Sequence, residues 1–294
     1  MRASCLLALA LATTAFSATA SASTMYAINH MGNHPDTQGP DTLIVFDTTD
    51  PAGYTTLGFM DVPNVGFGGL DFDAEGNLWA YATFIKVTGG AKAGLYSVNP
   101  DTGETVVQGT LSTQTLTDLA FNPVDNTMYG VFSQGYATTR LYSVDLLTGD
   151  VTAVGTFTGL EDTHNIVGFG IDSTGAYYLH DNINNNIYRA DGFTAELLYS
   201  SDLVSVGSQG LTIDWANGDV GYHATIGQGD FPDYYNNLNT FALDGSNYVW
   251  GPDWGDNYSD GLPQVQPGDV AILIPTPGSF LSLLALSAAA RRRR

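Results

Sequence analysis

The feature that most constrains the fold is a four-strand pattern that is complete between Gly69 and Leu111 and is then copied along the chain. Its first strand, Leu70-Asp71-Phe72-Asp73, is apolar at alternate positions, as in a half-buried β-strand. Its third strand, Leu95-Tyr96-Ser97-Val98-Asn99, has the clearest copies, at 43–47, 141–145, 187–191 and 240–244. Such copying indicates one structural unit repeated in space.

Four antiparallel strands in each repeat of about 40–50 residues are typical of a β-propeller blade. The copies define five blades, at 25–61 completed by 269–274, and at 66–111, 115–160, 164–203 and 207–255. The first blade lacks its first strand, and Asp269-Val270-Ala271-Ile272-Leu273 matches the missing pattern. We therefore predict an all-β, five-bladed propeller whose first blade is closed by the C-terminal strand, with six blades as the alternative.

The blade strands share two short motifs with known propellers. Asp-x-x-Gly occurs at 73–76 and 172–175, and Tyr-Ser-Val occurs at 96–98 and 142–144. In these motifs the body resembles the broad YVTN and NHL class of extracellular propellers. The resemblance implies the same fold and does not extend to a complete family motif.

The N-terminus has the pattern of a secretory signal peptide. Arg2 precedes an apolar run from Cys5 to Phe16, and small residues follow as far as Ala22. Export with cleavage after Ala22 would leave a propeller body at 23–274. Cys5 is the only cysteine, so the mature chain is expected to have no disulfide.

The C-terminal residues 275–294 combine three features: Pro275-Thr276-Pro277, an apolar run from Ser279 to Ala290, and a terminal cluster formed by Arg291, Arg292, Arg293 and Arg294. This order resembles the PEP-CTERM sorting signal of Gram-negative bacteria that make exopolysaccharide. The resemblance implies that an exosortase-type enzyme processes the chain near the proline motif, although Thr276 replaces the usual Glu. The arginines would keep the tail's end inside the cell. We expect transient anchoring in the inner membrane and then a place at the cell surface or outside the cell.

The charge of the body limits its partners. Five of the nine basic residues lie in the predicted signal and tail, so the body has four basic residues against thirty acidic ones. Such a surface repels nucleic acid and anionic membranes. We expect no nucleic-acid partner, membrane contact only through the tail before processing, and a monomeric body.

Three insertions interrupt the blade pattern, at 29–41, 227–239 and 251–268. The first two occupy equivalent places in neighbouring blades, so we expect them side by side on one face. Insertions are where a propeller has freedom to carry function. The second contains aromatic and amide side chains suited to stacking on and hydrogen bonding to sugars. The candidate ligand face is therefore Phe231, Tyr234, Tyr235 and Asn236.

Two sets of residues could hold a metal ion. Asp71, Asp73 and Glu75 have the alternating acidic pattern of a Ca²⁺ loop, but Asp and Gly at this hairpin are also favoured as turn formers, and we prefer that interpretation. His180 and His223 align on the second strands of adjacent blades and could meet near the axis; packing is the preferred role for them as well. We accordingly predict no cofactor, with calcium as the alternative.

The sequence contains no nucleophile elbow, phosphate loop or zinc-protease motif. The leading hypothesis is an exported, non-enzymatic protein of the cell surface or exopolysaccharide matrix of a biofilm, binding carbohydrate or another envelope component. The alternative is a metal-dependent hydrolase or lyase that acts on extracellular polysaccharide. An enzyme can assemble its site from single residues of several blades, so a missing motif leaves both hypotheses open.

Overall fold

The computed structural model describes residues 22–30, 41–60, 65–87, 90–200, 208–228, 235–251 and 267–274. Within these ranges the regular elements are all β-strands. None of the described segments is a helix of the length and apolarity needed to cross a membrane.

The described strands form five four-stranded antiparallel sheets, which are the five predicted blades. Blades one and two contain β1 (Thr24–Asn29), β2 (Thr42–Asp47) and β3 (Asp50–Phe59), then β4 (Val65–Phe72), β5 (Leu78–Val87), β6 (Gly90–Val98) and β7 (Thr105–Ser112). Blades three and four contain β8 (Asp118–Asn122), β9 (Thr127–Gln134), β10 (Thr138–Val144) and β11 (Val151–Thr156), then β12 (Ile166–Ile171), β13 (Tyr177–Asp181), β14 (Asn186–Asp191) and β15 (Thr194–Ser200). Blade five contains β16 (Ser208–Asp214), β17 (Val220–Gln228), β18 (Tyr235–Ala242) and β19 (Tyr248–Val249), and β20 (Pro267–Ile272) returns to blade one.

The ring is closed by the C-terminal strand, as the sequence predicts. β20 pairs antiparallel with β1, with Ile272 opposite Met25 and Val270 opposite Ala27. Side chains of blades one and five then share one apolar core, which includes Met25, Ile44, Tyr222, Leu238 and Val270. Closure removes the open sheet edges that two free termini would leave. The five-bladed propeller is confirmed.

The inner strand of each blade lies at the axis, and these five strands are β20, β4, β8, β12 and β16. They run in one direction, so the ring has two distinct ends. We call the end where the inner strands finish and turn into the second strands the hairpin face. The opposite end, where β1 leads towards β2 and β17 towards β18, is the insertion face. The insertions at 29–41 and 227–239 therefore start from this face on adjacent blades.

A glycine in the fourth strand of the repeat is explained by contact between blades. Gly109, in β7, has φ +63°, and a Cβ there would overlap the carbonyl oxygen of Thr148 in the next blade. A Cβ on Gly58, in β3, would likewise overlap the carbonyl oxygen of Thr102 in the next blade. Only glycine lets the outer strand approach the turn of the following blade this closely.

Two strand boundaries differ from the sequence-based prediction. The sequence pattern predicts that the fourth strand of blade one covers 55–60. β3 begins at Asp50 instead, because the tight turn after β2 lets pairing start at once, with Asp47 opposite Asp50. The insertion predicted at 227–239 is shorter, since β17 continues to Gln228 and β18 begins at Tyr235. Asn239 looked like a loop residue because it is polar. Its buried side chain instead donates to Thr225 Oγ1 at 3.1 Å and accepts from the Gly251 amide at 3.1 Å.

Candidate functional site

The axis of the ring is lined by alternate residues of the inner strands, because the apolar residues between them pack into the blade cores. One equivalent position, nearer the insertion face, is occupied in the five blades by Asp269, Gly69, Asp118, Gly168 and Gly210. The glycines leave room for the two carboxyl groups. A Cβ on Gly210, for example, would lie 2.5 Å from Oδ1 of Asp269.

Asp118 and Asp269 form a carboxyl pair across the axis, and both are fully buried. Burial raises the pKa of Asp118 well above its usual range, and the neighbouring Asp269 charge together with a hydrogen bond to Asp269 raises it further. Burial also raises the pKa of Asp269 well above its usual range, although the hydrogen bond from Asp118 opposes this shift. The pair therefore keeps one shared proton to a higher pH than exposed aspartates do, since two adjacent carboxylates do not readily both ionise in a buried site.

Three axial carboxylates accept a hydrogen bond from the inner strand of the next blade. Asp269 Oδ2 accepts from the Leu70 amide, linking blades one and two. Asp71 Oδ2 accepts from the Phe121 amide at 2.7 Å, linking blades two and three. Asp118 Oδ2 accepts from the Phe169 amide at 2.5 Å, linking blades three and four. These bonds tie four consecutive inner strands together.

A pocket of about 250 Å³ opens on the axis at the hairpin face. Its polar side chains include Asp71 and Thr212, and Ile213, Trp215 and Ile274 contribute apolar surface. The space exists because other blades carry Ala120 and Gly170 at the positions equivalent to Asp71. We call this space the axial pocket.

Asp71 is an ionisable group at this pocket whose direction is fixed by hydrogen bonds. Its two oxygens accept from the Phe72 amide at 2.8 Å and the Phe121 amide at 2.7 Å. Burial raises the pKa of Asp71 to about 7, and these hydrogen bonds limit the rise. Asp71 is partly buried, and a carboxyl group with a raised pKa in a concave site is a common feature of functional sites.

The acidic triplet 71–75 does not converge on one point. Asp73 Oδ1 accepts from the Glu75 and Asn77 amides, and Asp73 Oδ2 accepts from Asn77 Nδ2 and from Trp79 Nε1 at 2.8 Å. Asp71 bonds across to blade three instead, and Glu75 is exposed. The hydrogen bonds of Asp73 are those of a turn-forming residue. In the described ranges no three His, Cys, Asp or Glu side chains are grouped so as to hold a metal ion.

The two aligned histidines do meet, as their register predicts. The rings of His180 and His223 lie 4.0 Å apart between centroids, and both residues are buried. Burial lowers the pKa of His223 to about 3, and burial together with the neighbouring His223 lowers the pKa of His180 well below its usual value. His223 Nδ1 lies 3.1 Å from the Tyr248 hydroxyl. Both imidazoles are therefore neutral and pack inside the ring wall.

The predicted ligand face falls largely outside the described residues. Phe231 and Tyr234 lie outside them, while Tyr235 and Asn236 are the first two residues of β18. On the same blade Trp250 is exposed over 39% of its surface, and its ring stands edge-on to that of Tyr248 at 6.0 Å. Trp250 lies beside the middle of β18, and the chain continues from it towards the insertion face, because the Gly251 amide donates to Asn239 and the Gly251 carbonyl accepts from Asn237 Nδ2.

The terminal signals also lie outside the described residues. This applies to the predicted signal peptide up to Ser21 and to the sorting residues Pro275, Thr276, Pro277, Arg291, Arg292, Arg293 and Arg294. The described chain starts at Ala22, which is exposed, and continues into Ser23, which is buried.

Strand periodicity and known motifs do not identify the axial carboxyl pair. Asp118 and Asp269 each precede an apolar strand residue at a position that is glycine in the other three blades. Aligning the blades shows this contrast of Asp and Gly, which could have identified an axial site. Only the closed ring shows that the two side chains meet.

Comparison with known proteins supports the fold and no more. No protein-family model and no curated protein matches the chain. A solved nidogen–laminin complex has a chain with a TM-score of 0.50 and 13% identity, covering 86% of this chain and 99% of its own length. TolB from Acinetobacter baumannii gives a TM-score of 0.47 and 14% identity over 78% of this chain, which spans about half (52%) of the TolB chain. A putative 6-phosphogluconolactonase from Bacteroides uniformis gives a TM-score of 0.44 and 17% identity. The match covers 79% of this chain and 67% of the lactonase chain.

The carboxyl pair predicts a particular pH dependence of stability. A carboxyl group whose folded pKa is raised stabilises the fold fully below its unfolded pKa and loses this contribution as pH rises through the folded pKa. The side chain introduced by Asp118→Asn cannot ionise, so the melting temperature of this variant relative to wild type should rise by several degrees between about pH 5 and about pH 8. Thermal melts of the variant and of wild type across this range measure the difference. The histidines affect the stability of both proteins equally, so their effect cancels in the difference.

The control for this series is Asp150→Asn, which removes one exposed carboxyl group on blade three. The Asp118→Asn substitution also removes one hydrogen-bond acceptor, so this variant is expected to be less stable than wild type at the acid end. A constant difference between the Asp118→Asn and wild-type curves at all pH values would contradict the shared proton.

Proposed function

We propose that this chain is an exported protein of the cell surface or extracellular matrix that binds carbohydrate without catalysis. The observation that carries the proposal is the exposed indole of Trp250, which follows the last strand of blade five. Exposed aromatic rings held rigidly by their neighbours are what sugar rings stack against. The closed propeller supplies the rigid support.

Trp250 is held from two sides. Its ring packs edge-on against Tyr248, which in turn packs edge-on against Tyr199 at 5.7 Å. The next residue, Gly251, is held by two hydrogen bonds to its backbone. Asn237 Nδ2 donates to the Gly251 carbonyl at 3.1 Å, and the Gly251 amide donates to the Asn239 side chain. A preorganised aromatic group loses little entropy when a ligand binds.

The ring geometry supports a binding surface larger than one residue. Blades one and five are adjacent, and the segments 31–40 and 229–234 both leave from the insertion face between described strands. The second segment carries Phe231 and Tyr234, and Tyr235 and Asn236 follow it directly. Trp250 extends this set on the same blade. Aromatic and amide groups together suit a carbohydrate surface.

Export rests on the two ends of the sequence and on one feature of the body. Ser23 would be the first residue after cleavage, and it is built into the ring: its hydroxyl donates to Asp214 Oδ2 and accepts from Asn217 Nδ2 at 2.6 Å. Ala22 is exposed. A boundary between the two residues therefore leaves the body intact. We propose an exosortase-type enzyme as the processing partner at Pro275–Pro277.

The rival enzyme hypothesis gains no support from the histidines. A metal-dependent hydrolase or lyase would need ligand nitrogens directed at a common open point. His180 and His223 are buried against each other, and His223 also contacts Tyr248. We therefore propose a binding role.

The binding proposal predicts that Trp250→Ala weakens binding to immobilised bacterial exopolysaccharides about tenfold or more, because one stacking surface is lost. Affinity electrophoresis against a panel of such polysaccharides measures the effect. Tyr136→Ala is the matched control, since Tyr136 is an aromatic residue exposed over 58% of its surface on blade three. Chelators should leave binding unchanged. Equal binding by Trp250→Ala and wild type, or loss of binding after chelation, would overturn the proposal.

The export proposal predicts the mature mass of the protein. Cells of a Gram-negative host with an exosortase-type enzyme should release a chain that begins at Ser23 and lacks Arg291–Arg294. Intact mass spectrometry of the surface and medium fractions measures both ends, and a strain without the exosortase should retain the tail. Recovery of a peptide ending in Arg294 from the medium of the complete strain would count against processing.

A further inference from the structure

We propose that the axial pocket is a second binding site, whose ligand is a compact organic cation: a protonated amine with a small apolar body. The carboxylate of Asp71 would pair with the ammonium group. Trp215 and the isoleucine side chains would contact the apolar body. This site is at the hairpin face, so it is independent of the carbohydrate surface proposed at the opposite end of the ring.

The shape of the pocket limits the ligand to a small molecule. Its volume of about 250 Å³ is below the range of roughly 300–1,000 Å³ that is usual for drug-sized ligands. The Asp118–Asp269 pair fills the axis two residues before the level of Asp71 along the inner strands. The pocket therefore ends within the ring. A ligand would enter from the hairpin face and present one end to Asp71.

The chemistry of the pocket selects a positive charge. None of the described residues that line it is basic, so Asp71 has no protein cation as its partner there. Each of its oxygens accepts one backbone amide, which fixes the direction of the carboxylate. A carboxylate has about four acceptor sites, so both oxygens can still accept from a ligand. An indole such as that of Trp215 also attracts cations to its face.

The pocket walls favour an organic cation over a hydrated metal ion. Ile171, Ile213, Ile272 and Ile274 line the pocket. Besides Asp71, its side-chain oxygens belong to Thr212, Asn126 and Asp73, and the carboxylate of Asp73 already accepts four hydrogen bonds within its own turn. A divalent cation needs about six or more oxygen ligands or several retained waters. An alkylammonium ion needs one carboxylate and apolar contact, which is what these side chains provide.

Binding should be linked to a proton, because burial holds the pKa of Asp71 at about 7. The charged groups that act on Asp71 are acidic: Asp73 follows it in the same blade, and Asp269 on β20 interacts with it. The lining residues from β8, β12 and β16 contribute no charge. A cation therefore binds the ionised form, and protonated Asp71 must release its proton first.

The experiment is calorimetric titration of the full-length chain with isobutylammonium, with the uncharged isobutanol and the anionic isovalerate as matched probes. We expect isobutylammonium alone to bind, with affinity that rises as pH increases from about 6 to about 8. The release of a proton should show as a dependence of the heat on the buffer's ionisation enthalpy. No binding of isobutylammonium up to about 10 mM, or equal binding of isobutanol, would overturn the proposal.

Two variants locate the site. Asp71→Asn should lower the affinity for isobutylammonium about tenfold or more and abolish proton release, while Glu75→Gln, which removes an equal charge outside the pocket, should stay within about twofold of wild type. Ala120→Val narrows the pocket without changing its charge. It should therefore weaken the binding of isobutylammonium more than the binding of methylammonium. This second variant decides the question if Asp71→Asn fails to fold. Equal losses in Asp71→Asn and Glu75→Gln, or no effect of Ala120→Val, would show that binding occurs elsewhere.

Discussion

The ring depends on aspartate carboxyl groups at its axis, of which Asp118 and Asp269 are fully buried and Asp71 is partly buried. Asp269, Asp71 and Asp118 each accept a hydrogen bond from the inner strand of the following blade, at Leu70, Phe121 and Phe169. Buried carboxylates are costly unless they are paired and hydrogen-bonded. Here the cost is limited because backbone amides satisfy the oxygens and because Asp118 and Asp269 share a proton. Three glycines, at the positions equivalent to Asp118 and Asp269 in the other blades, provide the space for these two carboxyl groups. The placement of the axial side chains and the closure of the ring therefore depend on each other.

Much of this fold could be predicted from the sequence, because a blade is a local unit. Alternating apolar residues such as Leu70 and Phe72 identify inner strands, and the similarity of 269–273 to those strands identifies the closing one. The β17–β18 boundary could not be predicted in the same way, since Asn239 is polar yet buried among partners from Thr225 and Gly251. Sequence patterns do not show which polar side chains find partners in the folded chain.

The candidate sites were less predictable than the fold, for a physical reason. Register alone brings His180 and His223 together, because they occupy equivalent positions on adjacent blades. Asp71 and Trp215, by contrast, come from blades two and five and line the same pocket only after the ring is closed. A propeller builds its axial site from one residue of each blade, so the spacing along the chain carries no information about it. The two ends of the ring then offer separate surfaces, one apolar and acidic at the hairpin face and one aromatic on blade five.

The most direct test of this account is a pH titration of the aspartate carboxyl ¹³C signals by NMR, assigned with single Asp→Asn variants. We expect Asp71 to titrate near pH 7. We also expect Asp118 and Asp269 to keep one proton between them at pH values well above the usual titration range of aspartate. Titration of all three carboxyl groups near about pH 4, as for exposed aspartates, would contradict it, because the axis would then be open to water.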